Sequence, residues 1–292
     1  MLDRGGFAAV GEEDLHALVR RYIEQYAAEV LQNLEGRNAR FRYLFARLRN
    51  TAYAVVDQIA EEMRCSDFVP LAFELSFGER GELPAVTVSE PDAELRIGGK
   101  VDRVDCYHGS DRDYIRVIDY KTGGKKFDLS EVVQGLNMQM LLYLFTLGEN
   151  GVADLPSPGE AGVLYMPGSG HFTRDRRDAS AESIAEDQRK SYCMSGMVLD
   201  NPEVIEAMEL GTAGRYIPVS LKKDGSYTAA SSVITEKQLG LLRRQIAGNV
   251  VRMAELLHEG KIGAVPANRN GRLPCEYCDY RSVCGREAEW PD

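Results

Sequence analysis

Apolar side chains recur at helical spacing through the first part of the chain. From Glu12 to about Met63 they return every three or four residues, with charged residues on the opposite face. The segment 33–36 interrupts this pattern, and Cys65-Ser66-Asp67 follows its last turn. The pattern therefore predicts two amphipathic helices that each bury one face.

Beyond Pro70 the pattern changes to short alternating runs, which are typical of strands. We expect strands of one sheet over 71–77, 86–88, 95–101 and 114–118, with turn and hairpin loops at 79–82 and 107–112. A helix with one buried stripe is predicted over 129–147, and a further apolar strand over 161–166.

The last third of the chain is less regular. Little can be placed between Gly168 and Leu210, where the charged segment 173–190 indicates an exposed loop or lid. Asn201-Pro202 has the chemistry of a helix start, and Thr235 is the expected cap of a long amphipathic helix that ends at His258. A strand is predicted over 217–221.

This order of elements indicates an α/β (α+β) fold with a mixed central sheet flanked by helices. We expect a helical lead-in over residues 1–68 and a core over 69–265 with an inserted loop near 168–200. A cysteine-rich tail is expected over 266–292.

Composition places the chain among ordinary folded proteins. Hydrophobic residues make up 44% and charged residues 27%, which excludes disordered and low-complexity classes. The longest apolar stretch, about Met140 to Phe145, is far shorter than a membrane span, and the first residues lack a signal-peptide core. Six cysteines are too few for a secreted disulfide scaffold, so we expect a cytoplasmic protein.

The net charge of −10 argues against a protein that coats nucleic acid nonspecifically, because such proteins are usually basic. It does not exclude a nuclease, since metal-dependent nucleases concentrate carboxylates.

The strongest chemical signal is an acid and an amine that share one face of a strand. Side chains two apart on a strand point the same way, so Asp119 and Lys121 project together. If Asp102 lies on the antiparallel partner strand, the two carboxylates would suit a hard cation such as Mg²⁺. Phosphodiester hydrolysis needs a Lewis acid, a water nucleophile and a counter-charge, and Lys121 could orient the water or supply that charge. Spacing alone also fits a solvated surface pair.

Three motifs in order resemble the RecB-like branch of the PD-(D/E)xK nucleases. The family's Gly-x-x-Asp-Arg, Asp-x-Lys-Thr/Ser-Gly and Gln-x-x-x-Tyr patterns match 99–103, 119–123 and 139–143. Segments between and after them, including 73–78, 124–129, 162–165 and 194–196, are similar to AddB-type nuclease domains of ATP-dependent helicase–nucleases. The resemblance covers nearly the whole chain and implies a restriction-endonuclease-like fold.

The resemblance also implies roles for matching residues. Asp102 and Asp119 would bind Mg²⁺ or Mn²⁺, Lys121 would be the catalytic lysine, and Glu74 would complete the site unless it is simply a charge at a strand edge. Gln139 and Tyr143 lie four apart on one helical face, from which they could reach the site or a DNA phosphate. For Asp105 a salt bridge with Arg103 or Arg116 is expected.

Three cysteines near the C-terminus have the spacing of metal ligands. Cys275, Cys278 and Cys284 form a C-x2-C-x5-C pattern, and zinc and iron–sulfur clusters both accept thiolates, usually four. The resemblance implies a [4Fe-4S] cluster whose fourth cysteine lies far upstream. That cysteine and the family's Gly-x-x-x-His segment have no counterpart here, which favours an excised fragment with an incomplete cluster. Alternatively, Cys65 or Cys193 substitutes.

The sequence leaves three functional hypotheses. The leading one is a metal-dependent exodeoxyribonuclease domain that cleaves DNA during helicase-coupled end processing for recombinational repair. Its partners would be DNA and an AddA-like helicase–nuclease subunit, because the chain has no Gly-x-x-x-x-Gly-Lys-Ser/Thr loop for ATP. The others are a noncatalytic DNA-binding or scaffolding module with a metal centre, and a zinc-stapled enzyme of another phosphoester class.

Overall fold

The computed structural model describes residues 9–31, 36–90, 93–122, 124–168, 180–261, 263–267 and 273–284. The described helices are α1 (Glu12–Glu29), α2 (Ala39–Arg64), α3 (Leu129–Val133), α4 (Gln139–Asn150), α5 (Ala181–Ser191), α6 (Pro202–Met208) and α7 (Glu236–His258). The described strands are β1 (Val69–Phe77), β2 (Val86–Glu90), β3 (Ala93–Ile97), β4 (Gly99–His108), β5 (Asp113–Lys121), β6 (Gly159–Pro167), β7 (Ser195–Leu199) and β8 (Val233–Ile234). A short 3₁₀ helix covers Pro274–Tyr277.

The main sheet has six strands in the order β1-β4-β5-β6-β7-β8. Neighbouring strands run antiparallel except for the β5–β6 and β7–β8 pairs, which are parallel. The predicted α/β class with a mixed sheet and flanking helices is therefore confirmed. No helix within the described ranges is both long enough and apolar enough to span a membrane.

The prediction of one sheet for all the early strands is wrong. Strands β2 and β3 pair only with each other and form a separate two-stranded sheet. The run predicted over 95–101 is divided between β3 and β4 at Gly98. A side chain at Gly98 would come 3.3 Å from the backbone oxygen of Phe77, so the chain passes close to the end of β1 there.

The single helix predicted over 129–147 is two helices, α3 and α4. Between them Gly135 and Asn137 adopt positive φ angles of 85° and 54°. A left-handed residue cannot continue a right-handed helix, so the chain turns here although the apolar spacing continues.

Residues 168–210, which the pattern left largely unassigned, contain regular structure. Helix α5 occupies part of the segment predicted to be a loop, and β7 is an internal strand of the main sheet; residues 169–179 lie outside the described ranges. The strand predicted over 217–221 is absent, and Ile217 and Val219 are buried in an irregular segment instead.

The predicted helix starts at Asn201 and Thr235 are confirmed. The Asn201 side chain accepts hydrogen bonds from the backbone N–H groups of Glu203 and Val204. Thr235 and Gln238 form a reciprocal capping box at the start of α7. Both caps satisfy N–H groups that have no partner within the helix.

The main sheet buries an apolar layer on each face. One layer joins the sheet to α4 and α7 and includes Val104, Val117 and Leu144. The other joins it to α6 and the 216–219 segment and includes Ile118, Leu164 and Val204. Alternate residues of β4 and β5 therefore enter different layers.

Four charged side chains are buried together where α2 meets β4 and β5. The Arg103 guanidinium donates hydrogen bonds to Glu62 (3.2 Å) and Asp105 (2.8 Å), and Arg116 donates to the same carboxylates at 2.6 and 2.9 Å. All four side chains are at most 1% exposed. The expected pairing of Asp105 with Arg103 or Arg116 is confirmed, and Asp105 binds both.

Because the cluster contains two cations and two anions, it is neutral as a whole. Burial opposes the charge on Arg103, but Asp105 and Glu62 outweigh it and raise its pKa above the ordinary value. Removing one member would leave a buried charge without compensation, which typically costs about 3–5 kcal/mol.

We predict that Glu62→Gln lowers the free energy of unfolding by about 3–5 kcal/mol, because it leaves the two buried arginines with one carboxylate. The adjacent variant Glu61→Gln is the matched control. It removes an ion pair with Arg215 whose side chains are more than 40% exposed, and it should cost less than about 1 kcal/mol. Urea unfolding measures both; equal losses would contradict the structural importance of the cluster.

Candidate active site

Asp102 and Asp119 lie on neighbouring antiparallel strands, at the point where their pairing ends. The last regular pair of β4 and β5 is Arg103 with Ile118, so one further step in this register brings Asp102 opposite Asp119. Both side chains are half-buried. The structure thus brings together the two carboxylates that the sequence predicted to share a site.

The Asp102 carboxylate takes the place of a backbone partner at this end of the strands. Its Oδ2 accepts a hydrogen bond of 2.9 Å from the backbone N–H of Tyr120. A backbone N–H in this position would otherwise bond to the facing strand. This hydrogen bond ties the Asp102 side chain to β5.

Lys121 stands beside Asp119 on the same face of β5. Its Nζ forms an ion pair with Oδ2 of Asp119 and lies 4.9 Å from the centre of the Tyr165 ring. The exposed fractions of the two charged side chains are 27% and 18%, so water and a ligand can reach them. The predicted grouping of Asp119 with Lys121 is present.

The residues present fit a divalent cation in their donor chemistry. Mg²⁺ and Mn²⁺ prefer carboxylate oxygens, and two carboxylates meet here on adjacent strands. Apart from the ion pair with Lys121, the buried Oδ2 of Asp119 has no hydrogen-bond donor within the described ranges. A cation at this position would satisfy that oxygen.

Glu74 lies on β1 at the same level of the sheet, but its carboxylate is engaged elsewhere. The flanking pairs Phe73–Arg103 and Leu75–Val101 place residue 74 beside Asp102. Its backbone has a φ of 54°, and its side chain forms a 2.5 Å ion pair with Lys100. Because both side chains are more than half exposed, the glutamate could exchange this partner for another at little cost.

Gln139 and Tyr143 lie on one face of α4, as their spacing predicted. Gln139 donates a 2.8 Å hydrogen bond to the Tyr143 hydroxyl, and the Tyr143 ring stacks on Phe77 with centres 4.8 Å apart. The hydroxyl also fills the space above Gly99, where an added Cβ would lie only 1.6 Å from it. Gln139 is exposed, whereas Tyr143 is buried.

This contact joins two of the sequence motifs. Gly99 begins β4 three residues before Asp102, and Tyr143 ends the glutamine–tyrosine motif on α4. The glycine is required because the tyrosine hydroxyl occupies the position of a side chain. Tyr143 packs against the start of β4 through this contact, and its predicted role at the site stays a prediction.

Sequence reasoning missed Tyr165 and Ser195, which extend the row of polar residues across the sheet. Tyr165 pairs with Asp119 on one side and with Ser195 on the other. Burial raises the pKa of the Tyr165 hydroxyl, and the carboxylates of Asp119 and Glu131 add to this effect. The hydroxyl is therefore a neutral donor at ordinary pH. The family resemblance covers segments 162–165 and 194–196, but it assigned no role to either residue.

A cleft of about 1230 Å³ opens beside this row, between the 125–131 segment, β7 and α7. Lys125, Lys126 and Glu131 line it together with apolar side chains. The backbone N–H of Phe127 donates to Ser195 Oγ, which ties the segment to the sheet. Gly123, the last residue of the second motif, lies outside the described ranges.

The three C-terminal cysteines lie in the 3₁₀ helix and the turns after it. Cys275 is half-buried, while Cys278 and Cys284 are exposed. Within the described part of the chain, no group of three or more His, Cys, Asp or Glu side chains is arranged to hold a metal. The iron–sulfur cluster that the resemblance implies for these cysteines stays a prediction.

The two cysteines considered as substitutes each have contacts within the fold. Cys65 contacts the Tyr216 hydroxyl, and the Cys193 thiol faces the carbonyls of Met194, Gly214 and Ile217. Burial raises the pKa of Cys193 to about 11, which disfavours the thiolate that a metal needs.

We predict that Gly99→Ala destabilises the protein by about 1–3 kcal/mol, because the new methyl group must displace the Tyr143 hydroxyl. In a double-mutant cycle, Tyr143→Phe should relieve part of this loss. Gly248→Ala is the control, since Gly248 is an exposed position of α7 and nothing lies within 4 Å of its added Cβ, and it should stabilise by about 0.5–1 kcal/mol. Additive losses for residues 99 and 143 in urea unfolding would contradict the contact.

Comparison with known proteins agrees with this geometry. A family profile described as "PD-(D/E)XK nuclease superfamily" matches residues 7–285. Three relatives are each named as one subunit of an ATP-dependent helicase/deoxyribonuclease. The first, from Caldanaerobacter subterraneus subsp. tengcongensis, is 30% identical over 276 residues, which are 94% of this chain and 24% of the relative. The second, from Acetivibrio thermocellus, is 32% identical over 90% of this chain and 24% of the relative. The third, from Clostridium acetobutylicum, is 33% identical over 94% and 24%.

The chain thus spans about a quarter of the length of these curated relatives. The family profile, in contrast, covers nearly all of it and includes every residue of the site described above. With its mixed sheet, its paired aspartates and the lysine beside them, this chain belongs to the PD-(D/E)XK nuclease superfamily.

Proposed function

We propose that this chain is a divalent-metal-dependent deoxyribonuclease domain that hydrolyses DNA phosphodiesters. The observation that carries the proposal is the convergence of Asp102, Asp119 and Lys121 where β4 and β5 stop pairing. A purely structural role gives no reason to collect two half-buried carboxylates and an amine at an open strand end.

In the proposed reaction, Asp102 and Asp119 would hold Mg²⁺ or Mn²⁺, and the bound cation supplies a Lewis acid that lowers the pKa of water. The backbone N–H of Tyr120 keeps Asp102 oriented toward β5. Lys121 is close enough to Asp119 to present its ammonium to a DNA phosphate bound there. It would offset the negative charge that develops on that phosphate during attack by water. The neutral hydroxyl of Tyr165 supplies a further donor at this edge of the site.

The names of the relatives support a wider proposal. We infer that the chain acts beside an AddA-like helicase–nuclease subunit in the cytoplasm and degrades a DNA strand exonucleolytically. This would process DNA ends for recombinational double-strand-break repair. The relatives are named as ATP-dependent, whereas this sequence has no phosphate-binding loop, so the motor would lie in other sequence.

We predict that Asp119→Ala lowers Mg²⁺-dependent cleavage of linear DNA by more than about 100-fold, because it removes a proposed metal ligand. Cleavage of labelled single- and double-stranded DNA, with EDTA as a second control, measures the effect. Asp154→Ala removes an exposed carboxylate from a turn and should leave the rate unchanged.

Unaltered urea midpoints would show that the Asp119→Ala fold is intact. Metal-dependent cleavage that survives this substitution would refute the assignment of Asp119. A parent chain that binds DNA without cleaving it would favour the noncatalytic scaffold instead.

We also propose that Cys275, Cys278 and Cys284 are ligands of a [4Fe-4S] cluster. The support is their spacing and the soft thiolate chemistry that they share. Within the described residues they do not form an assembled metal-binding group. In chain prepared without oxygen, iron and acid-labile sulfide should copurify and be lost in Cys278→Ser. The variant Cys106→Ser, which alters a buried strand residue, should retain them. One zinc per chain and no sulfide would replace this proposal with a structural zinc site.

A further inference from the structure

Within the described ranges, the hairpin of α1 and α2 has its buried contacts at one end. Near that end Leu15 and Ala60 are buried together with Val10. Toward the other end, the tip that joins α1 to α2, the two helices expose most of their side chains. We call residues 20–31 and 36–53 the distal hairpin; the site described above does not involve it.

The distal hairpin has a charge opposite to that of the whole chain. It contains seven arginines and two glutamates, Glu24 and Glu29, whereas the chain carries −10 overall. Five of the arginines lie between Gly36 and Val56, where the sequence has no aspartate or glutamate. All five are exposed: Arg37, Arg40, Arg42, Arg47 and Arg49. Such a concentration of arginine on an acidic protein provides a local surface for a polyanion.

Exposed tyrosines lie among these arginines. Tyr22, Tyr26 and Tyr43 have exposed fractions of 61%, 53% and 63%. The Arg21 and Arg47 guanidinium groups lie 5.0 and 6.0 Å from the ring centres of Tyr22 and Tyr43. Large aromatic rings that remain open to solvent beside cations are the features on which unpaired bases stack.

A groove of about 650 Å³ runs between the two helices. Arg20 of α1 and Arg49 of α2 line it, together with Phe45 and Tyr53. Glu24 also lines the groove, but the two arginines outnumber it, so the net charge of the lining stays positive. Arg42, two helical turns before Arg49, lies on the same face of α2 and extends the row of cations.

We propose that the distal hairpin binds single-stranded DNA, with arginines on the backbone phosphates and tyrosines stacked on bases. The inference rests on the proposed function insofar as the ligand is the strand that the nuclease would cut. A single strand fits better than a duplex, because stacking on tyrosine requires unpaired bases. The excess of arginine favours a polyanion such as DNA over a protein partner. A protein partner would need a surface rich in aspartate and glutamate to pair with these arginines.

The test measures binding apart from catalysis. The Asp119→Ala chain in EDTA is titrated against a fluorescein-labelled oligothymidylate, and affinity is followed by anisotropy at several salt concentrations. Adding Arg42→Glu/Arg49→Glu should weaken binding at least about tenfold at low salt. It should also reduce the slope of log affinity against log salt concentration by roughly one to two. Lys222→Glu/Lys223→Glu makes the same change in net charge on another exposed segment and should have little effect.

Stacking is tested with a strand that lacks bases. The abasic strand should bind more weakly than oligothymidylate, and Tyr22→Ala/Tyr43→Ala should remove most of this difference. Equal affinities for the two strands in the parent would overturn the stacking part of the proposal.

The outcomes separate this inference from the proposed function. If Arg42→Glu/Arg49→Glu binds the strand as tightly as its lysine control, the hairpin is not the DNA surface and an interface with protein becomes the better explanation. If binding falls as expected but the parent chain never cleaves DNA with Mg²⁺ or Mn²⁺, the hairpin proposal stands and the nuclease proposal fails.

Discussion

The buried cluster of Glu62, Arg103, Asp105 and Arg116 fixes the part of the sheet on which the site depends. Its two arginines share two carboxylates, so no member can move without leaving a charge uncompensated. The cluster connects α2 to β4 and β5 and occupies one face of these strands. Because side chains alternate between faces, the same register directs Asp102 and Asp119 to the opposite face. A slip by one residue would exchange these faces, so that the arginines would lose their carboxylate partners on α2 and the aspartates would leave the site.

Several departures from regular structure lie on or next to the elements that carry the site residues. The Asp102 side chain takes the place of a backbone hydrogen-bond partner for Tyr120. Glu74 on β1 and Asn137 between α3 and α4 both have left-handed backbone conformations. Gly99 allows Tyr143 to approach the start of β4. Each feature costs some stability by itself, and packing on both faces of the sheet provides the compensation. The two carboxylates lie where the β4–β5 pairing ends, and both side chains are partly exposed to a ligand there.

The charge distribution explains how an acidic chain could act on DNA. The carboxylates at the site repel phosphate unless a cation neutralises them, and Lys121 supplies only one positive charge. The arginines of the distal hairpin concentrate positive charge on α1 and α2, which carry none of the site residues. Attraction of the strand and chemistry on the strand would therefore be separate tasks, performed by different parts of the molecule.

The sequence by itself determined the two N-terminal helices, the caps at Asn201 and Thr235, and the grouping of Asp119 with Lys121. These features depend on local periodicity, on the short reach of a capping side chain, and on the alternation of side chains along one strand. Three features were decided only in the tertiary structure: the separate β2–β3 sheet, the break between α3 and α4, and the place of Tyr165 beside Asp119. Each depends on contacts between residues far apart in the chain or on a single residue with a left-handed backbone conformation. The spacing of hydrophobic residues predicts neither of these.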